Sequence, residues 1–335
     1  MRLAAAILAA LAVLVAALAF GAAVGETAIP LPTVAKVVAN RLFGAAFPLD
    51  AIDAGIVWEY RLARAVVAAC CGMALALSGV VLQALLRNAL ADPYVLGISA
   101  GASTGAVAVA ILGLGAGILS LSAGAFLGAL LAFAVVALLA RAAGAGPGAA
   151  ILAGVAGSQL FNALTAFIIA RSANAAQARG IMFWLLGNLS GARWPDAALA
   201  APVVALGALV CLWQVRALDA FTFGTDSAAS LGVPVRTTQA LLIGASALMT
   251  AVMVSIVGSI GFVGLVIPHA ARFLVGARHA RLVPVAAIGG AVFLVACDVV
   301  ARIIVPRQVV PIGVVTALVG APAFALILVR ARKFA

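Results

Sequence analysis

Charge is scarce in this chain. Charged residues fill 9% of the 335 positions, with nine acidic residues, two histidines, and only two lysines among 20 basic residues. Soluble domains carry roughly 25% charged residues, so a chain of this length has too few to cover a water-facing surface. The same shortage argues against an intramembrane enzyme, which needs His, Asp or Glu gathered at one depth. The four cysteines (Cys70, Cys71, Cys211, Cys297) lie inside apolar runs with no CxxC or Cys/His spacing. That excludes a disulfide framework and a zinc site and leaves them as small packing residues. No G-x-x-x-x-G-K-[ST] phosphate cradle occurs, so ATP hydrolysis is not expected of this chain. The formal charge of +11 comes mostly from scattered arginines. They form no basic stripe and no aromatics are interleaved, so nucleic acid is excluded as a partner. No resident cofactor or metal is expected.

What is present is apolar. Hydrophobic residues make up 67% of the chain and mean hydropathy is +1.30. A membrane span needs about 20 apolar residues, and runs such as 3–24 and 119–140 lack the alternation of barrel strands. The expectation is an all-α integral membrane bundle, a single domain over 1–335. About ten spans are predicted: 3–24, 62–84, 95–114, 119–140, 149–170, 196–214, 238–257, 261–275, 283–303 and 311–330. The first run resembles a secretory signal but is longer than the usual apolar core of one, and is read as an uncleaved span in contact with lipid. An even number of spans puts both termini on one side. Arg2 with Arg330, Arg332 and Lys333 assigns that side to the cytoplasm.

Glycines recur four apart in Gly97-Ile-Ser-Ala-Gly101, Gly101-Ala-Ser-Thr-Gly105 and Gly124-Ala-Phe-Leu-Gly128. Small residues at that spacing let helices approach closely, and close packing is favoured over a path-lining role. Asp298 and Arg302 are four apart on one helix face, which reads as a structural ion pair rather than a proton relay. One loop, about 217–236, stands out between two spans. Within it Thr225 or Asp226 can cap a short helix, Ala228 to Leu231 can form it, Gly232 can close it and Pro234 stops its continuation. A docking element for a cytosolic motor and a plain surface helix both fit this pattern.

Several longer motifs occur in a fixed order. They are Arg61-Leu-Ala-Arg64, Asn88-Ala-Leu-Ala-Asp-Pro93 followed by Leu96-Gly-Ile-Ser-Ala-Gly101, Phe183-Trp-Leu-Leu-Gly-Asn-Leu-Ser-Gly191, Gly261-Phe-Val-Gly-Leu-Val-Ile-Pro-His269, and Pro311-Ile-Gly-Val-Val-Thr-Ala-Leu-Val-Gly-Ala-Pro322. Over nearly its whole length the chain resembles the FecCD/BtuC permeases of binding-protein-dependent ABC importers for iron chelates, haem and vitamin B12. The resemblance implies a homodimer around one translocation path in the bacterial inner membrane, two cytosolic ATPase subunits below, and a periplasmic substrate-binding protein above. It implies that Gly224, Thr225, Asp226, Ser227, Ala228, Ala229, Ser230, Leu231 and Gly232 couple to the ATPase. It places Arg61, Arg64 and Arg302 where the binding protein docks, and Asn88 and Leu90 at an inner gate opposite Pro147 and Gly148. Ser158 and Asn162 are expected along the path. Ala63 and Ala89 stand where the family carries prolines, and alanine relaxes the backbone there. The cargo expected is a ferric siderophore or haem, with cobalamin as the alternative. An ion-coupled secondary transporter is the competing class.

Overall fold

The computed structural model describes residues 2–25, 27–115, 117–144, 146–172 and 174–331, and every regular element among them is helical. In chain order these are α1 (Arg2–Ala23), α2 (Leu31–Phe43), α3 (Ala51–Gly55), a π-helical stretch (Ile56–Leu62), α4 (Ala63–Leu85), a 3₁₀ turn (Pro93–Leu96), α5 (Ile98–Leu112), α6 (Leu121–Ala142) and α7 (Pro147–Ser172). They continue as α8 (Ala175–Leu185), α9 (Trp194–Trp213), α10 (Val215–Phe221), α11 (Thr225–Ser230), α12 (Val235–Val257), α13 (Val263–Val275), α14 (His279–Ile303) and α15 (Ile312–Ala331). Six helical segments are long and apolar enough to cross a membrane, and four shorter apolar helices accompany them. Each expected run overlaps one of these. Arg332 and Lys333, used above to orient the chain, lie outside the described residues.

Helix α4 is the axis of the bundle. It is continuous with α3 and the π-helical stretch over Ala51–Leu85, and 83% of its most apolar window is buried, against 28% for α6, α7 and α9. A helix that is apolar all round belongs inside, and α4 packs on α14, α12, α13 and α9. Glycine makes the approach possible. A Cβ on Gly72 would collide with the carbonyl oxygen of Gly290 on α14, and one on Gly79 with that of Gly264 on α13. The paired glycines of α5 and α6 serve the same purpose, with Gly101 facing Gly128 and Gly105 facing Gly124. Their spacing encodes helix packing, as the sequence suggested.

Two expected spans are not full-length helices. α5 has 15 residues and α13 has 13, or about 22 and 20 Å at 1.5 Å per residue, short of a hydrocarbon core of about 30 Å. Irregular chain completes each of them, residues 86–97 before α5 and 258–262 before α13. Non-helical backbone among spans must find its hydrogen bonds within the protein. Tyr94 supplies two: its hydroxyl donates to the carbonyl of Ile260 (2.9 Å) and accepts from the Ile260 N–H (2.8 Å). Ser99 and Ser259 hydrogen-bond beside it.

Candidate functional site

The chain of α4 runs between two polar clusters, one at each end of the bundle. At the first end lies the segment expected to couple to a motor. α11 covers Thr225–Ser230, and its N-cap is Gly224, at φ 110° and ψ 164°, with no side-chain cap. Thr225 and Asp226, expected as caps, are instead the first helical residues, because only glycine takes that backbone readily. Ser227 and Ser230 turn back onto the carbonyls of Phe223 and Asp226. Gly232, at φ 82°, closes the helix as expected. Ala228 is buried underneath, Ala229 is exposed, and Leu231 and Phe223 are 71% and 75% exposed.

The segment is tied to the core through α10. Asp219 Oδ1 accepts from the backbone N–H of His279 (2.9 Å) and from its ring Nδ1 (2.7 Å), so α10 caps the first turn of α14. Arg87, at φ 49°, follows α4 and comes close enough to Gly224 that a Cβ there would lie 3.2 Å from its Nη1. Gln83, buried on α4, donates to the carbonyls of Ala91 (3.4 Å) and Gly264 (3.2 Å) and accepts from Arg272 Nη1 (2.6 Å). One side chain thus joins α4, the loop after it and both ends of α13.

That loop carries the expected inner gate. Asn88 Oδ1 accepts from the Leu90 N–H (2.9 Å) and forms a tight turn, with Leu90 half exposed. Asp92 caps the 3₁₀ turn through the Tyr94 N–H (2.9 Å). Pro147 opens α7 and Gly148 is exposed beside it. No hydrogen bond among the described residues joins Asn88 or Leu90 to this pair. The loop meets α7 further along, where a Cβ on Gly154 would collide with the Val95 carbonyl. Ser158, half-buried, and Asn162, exposed, follow on α7 with Gln159 exposed beside them. Thr104 and Thr165 tie α5 to α7 one turn on (2.8 Å).

At the opposite end the three expected docking arginines converge, but two turn inward. Arg61 is 8% exposed and donates to the carbonyls of Ala22 and Ala23 (3.4 and 2.9 Å) and to Thr27. Arg302 is 7% exposed and donates to the Gly21 carbonyl (2.9 Å). Both cap the C-terminal turn of α1, where unsatisfied carbonyls and the helix dipole attract cations. Arg64 donates to Asp298 Oδ1 through Nε and Nη2 (2.8 and 2.7 Å) and to Ser190 through Nη1 (3.2 Å). Asp298 also pairs with Arg302 Nε at 3.2 Å, the ion pair expected from their spacing. Around this core Trp58 and Trp194 stack at 4.8 Å between centroids, and Arg193 covers the Tyr60 ring at 4.5 Å.

Sequence reasoning missed Gln83, Tyr94, Asp219 and His279 as connectors. A buried glutamine in an apolar helix was the one available signal, since such a group must find partners.

A buried helical bundle with a short exposed helix at one end is the architecture of a transport permease. The chain belongs to the FecCD transport family, whose model matches residues 11–330. It is 43% identical to the cobalamin import system permease BtuC of Halobacterium salinarum, over 83% of this chain and 74% of that protein. It is 36% identical to the Fe(3+) dicitrate permease FecD of Escherichia coli, over 83% of this chain and 86% of that protein. Among solved structures it resembles an ABC transporter of the metal-chelate type in an inward-facing conformation, with TM-score 0.83 and 29% identity, covering 96% of this chain and 98% of that one. The protein is therefore a multispan ABC importer permease of the family that handles vitamin B12 and iron chelates.

Proposed function

We propose that two copies of this chain form a path across the bacterial inner membrane, with both termini in the cytoplasm and α11 gripped by a pair of ATPase subunits. The observation that carries this reading is the coupling segment itself. Leu231 and Phe223 are displayed to solvent at the flanks of α11, while α10 beneath is fastened to α14 by the Asp219–His279 pair. Exposed apolar side chains on a braced element suit a partner's groove, and closure of the ATPase pair would reach the spans as a rigid-body push. Residues 224–232 are the coupling element.

A substrate-loaded periplasmic protein docks at the other end. Arg193 and the aromatic rim around it present this surface, while Arg64, Arg61 and Arg302 support it from within. Single exposed charge pairs contribute roughly 0–1 kcal/mol, so the arginines steer encounter and orientation more than affinity. Asn88 and Leu90 close the inner side of the path with Pro147 and Gly148, and Ser158 and Asn162 face the cargo. Exposed Asn162 and Gln159 on a spanning helix support this, because amides facing lipid are costly.

The cargo is a large metal chelate, a ferric siderophore or haem. Cobalamin is the second reading, favoured by the 43% identity to an archaeal cobalamin permease. Mass spectrometry of the ligand co-purifying with the cognate binding protein decides between them, followed by uptake of each compound into proteoliposomes. The coupling assignment is tested by Leu231→Asp. Transport is expected to vanish while the binding protein still docks, and unchanged transport would remove the coupling role. An ion-coupled carrier would instead move cargo down an ion gradient with no ATPase attached.

A further inference from the structure

We infer that the cavity beneath the coupling segment binds a phosphate-type oxyanion. The cavity, about 320 Å³, lies between the end of α4, the α10–α11 turn and the α13–α14 turn, and is lined by Gln83, Arg87, Thr222, Arg272, Ala277 and His279. Its charge is unbalanced. Neither Arg87 nor Arg272 makes an ion pair among the described residues, and no carboxylate lines the cavity there, Asp219 being occupied by His279. Among the described residues Arg272 has a single partner, the neutral Gln83 oxygen at 2.6 Å. The Gln83 amide nitrogen is committed to Ala91 and Gly264, so its oxygen is held toward the guanidinium. The remaining donors of Arg272 are unclaimed.

Arg87 makes no side-chain hydrogen bond among the described residues and sits at φ 49°, a left-handed backbone that costs a non-glycine residue energy. His279 borders the cavity and is held by Asp219 through its ring Nδ1, which leaves the two arginines as the cavity's donors. Two guanidinium forks at one cavity match the acceptors of a phosphate group. The space also admits a substituent on that phosphate.

Two sources share this chemistry, free phosphate and the headgroup of an anionic lipid. Basic pockets between spans on the cytoplasmic side suit lipid headgroups, and Phe273 and Leu274, beside Arg272, are 67% and 77% exposed. In either case the anion would join the end of α4, α13 and the coupling turn. The inference does not depend on the coupling role, because binding is read without transport.

The test uses the purified full-length chain in neutral detergent. In one arm inorganic phosphate is titrated against chloride at matched ionic strength. In the other, mixed micelles carrying phosphatidylglycerol are titrated against phosphatidylcholine, with bound lipid counted by native mass spectrometry. A saturable rise in melting temperature is expected in at least one arm, and which arm responds assigns the source. Arg272→Gln and Arg87→Gln should each weaken the apparent affinity about tenfold, whereas Arg278→Gln, outside the cavity, should not. Arg87 is exposed, so its variant serves even if Arg272→Gln fails to fold. No saturable response in either arm overturns the inference. So does an equal response in wild type and Arg87→Gln.

Discussion

Asp298 is the most heavily committed single residue. It is fully buried, receives two donors from Arg64 and faces Arg302 at 3.2 Å. Removing one partner from a buried ionic group leaves the others uncompensated, at about 3–5 kcal/mol. Asp298→Asn is therefore expected to lower the melting temperature in detergent sharply, and a change within error would mean that water already screens the arginines. The Asp298–Arg302 pair was legible because both lie on one helix face four residues apart. Arg64, 234 positions away, was not, and neither was the inward turn of Arg61 and Arg302, since α1's carbonyls leave no mark in the sequence around either arginine.

Among elements, the apolar runs marked every span because lipid demands about 20 apolar residues of each. They did not reveal that α5 and α13 are short helices completed by irregular chain, since hydropathy counts residues and not their hydrogen bonds. Tyr94 closing on Ile260, 166 positions away, is what permits the break. The α11 helix was legible in outline from Gly232 and Pro234, and its start was misplaced because Gly224 takes the capping backbone that Thr225 or Asp226 was expected to supply. Helix contacts make a sharper test. Gly79→Ala puts a Cβ against the Gly264 carbonyl, and overpacking of this kind costs about 1–3 kcal/mol. Gly244→Ala on α12 meets nothing within 4 Å and should be neutral or slightly stabilising, since alanine is the better helix former. Equal melting temperatures for the two variants would mean that α4 and α13 do not cross as closely as described.

For the whole molecule, the contacts form a continuous route from one end to the other. The segment proposed to couple, 224–232, rests on α10, Asp219 fastens α10 to the first turn of α14, Gly290 of α14 meets Gly72 of α4, and Asp298 of α14 joins Arg64 of α4 at the far end. A push on α11 that travels this way is carried by the Asp219–His279 contact together with the buried packing of Leu218 and Phe221 of α10. Asp219→Ala removes that contact while leaving α11's exposed surface intact, so ATPase subunits should still bind and hydrolyse ATP. Transport should fall severalfold, and the number of ATP molecules spent per cargo molecule delivered should rise. Leu231→Asp acts one step earlier and is expected to lower ATPase association as well, which separates loss of grip from loss of transmission. Proteoliposomes containing the assembled transporter give both quantities from the same preparation. If Asp219→Ala leaves the ratio of hydrolysis to delivery unchanged, the motion reaches the spans through α12, which follows α11 directly in the chain, and the Asp219–His279 pair only holds the fold together.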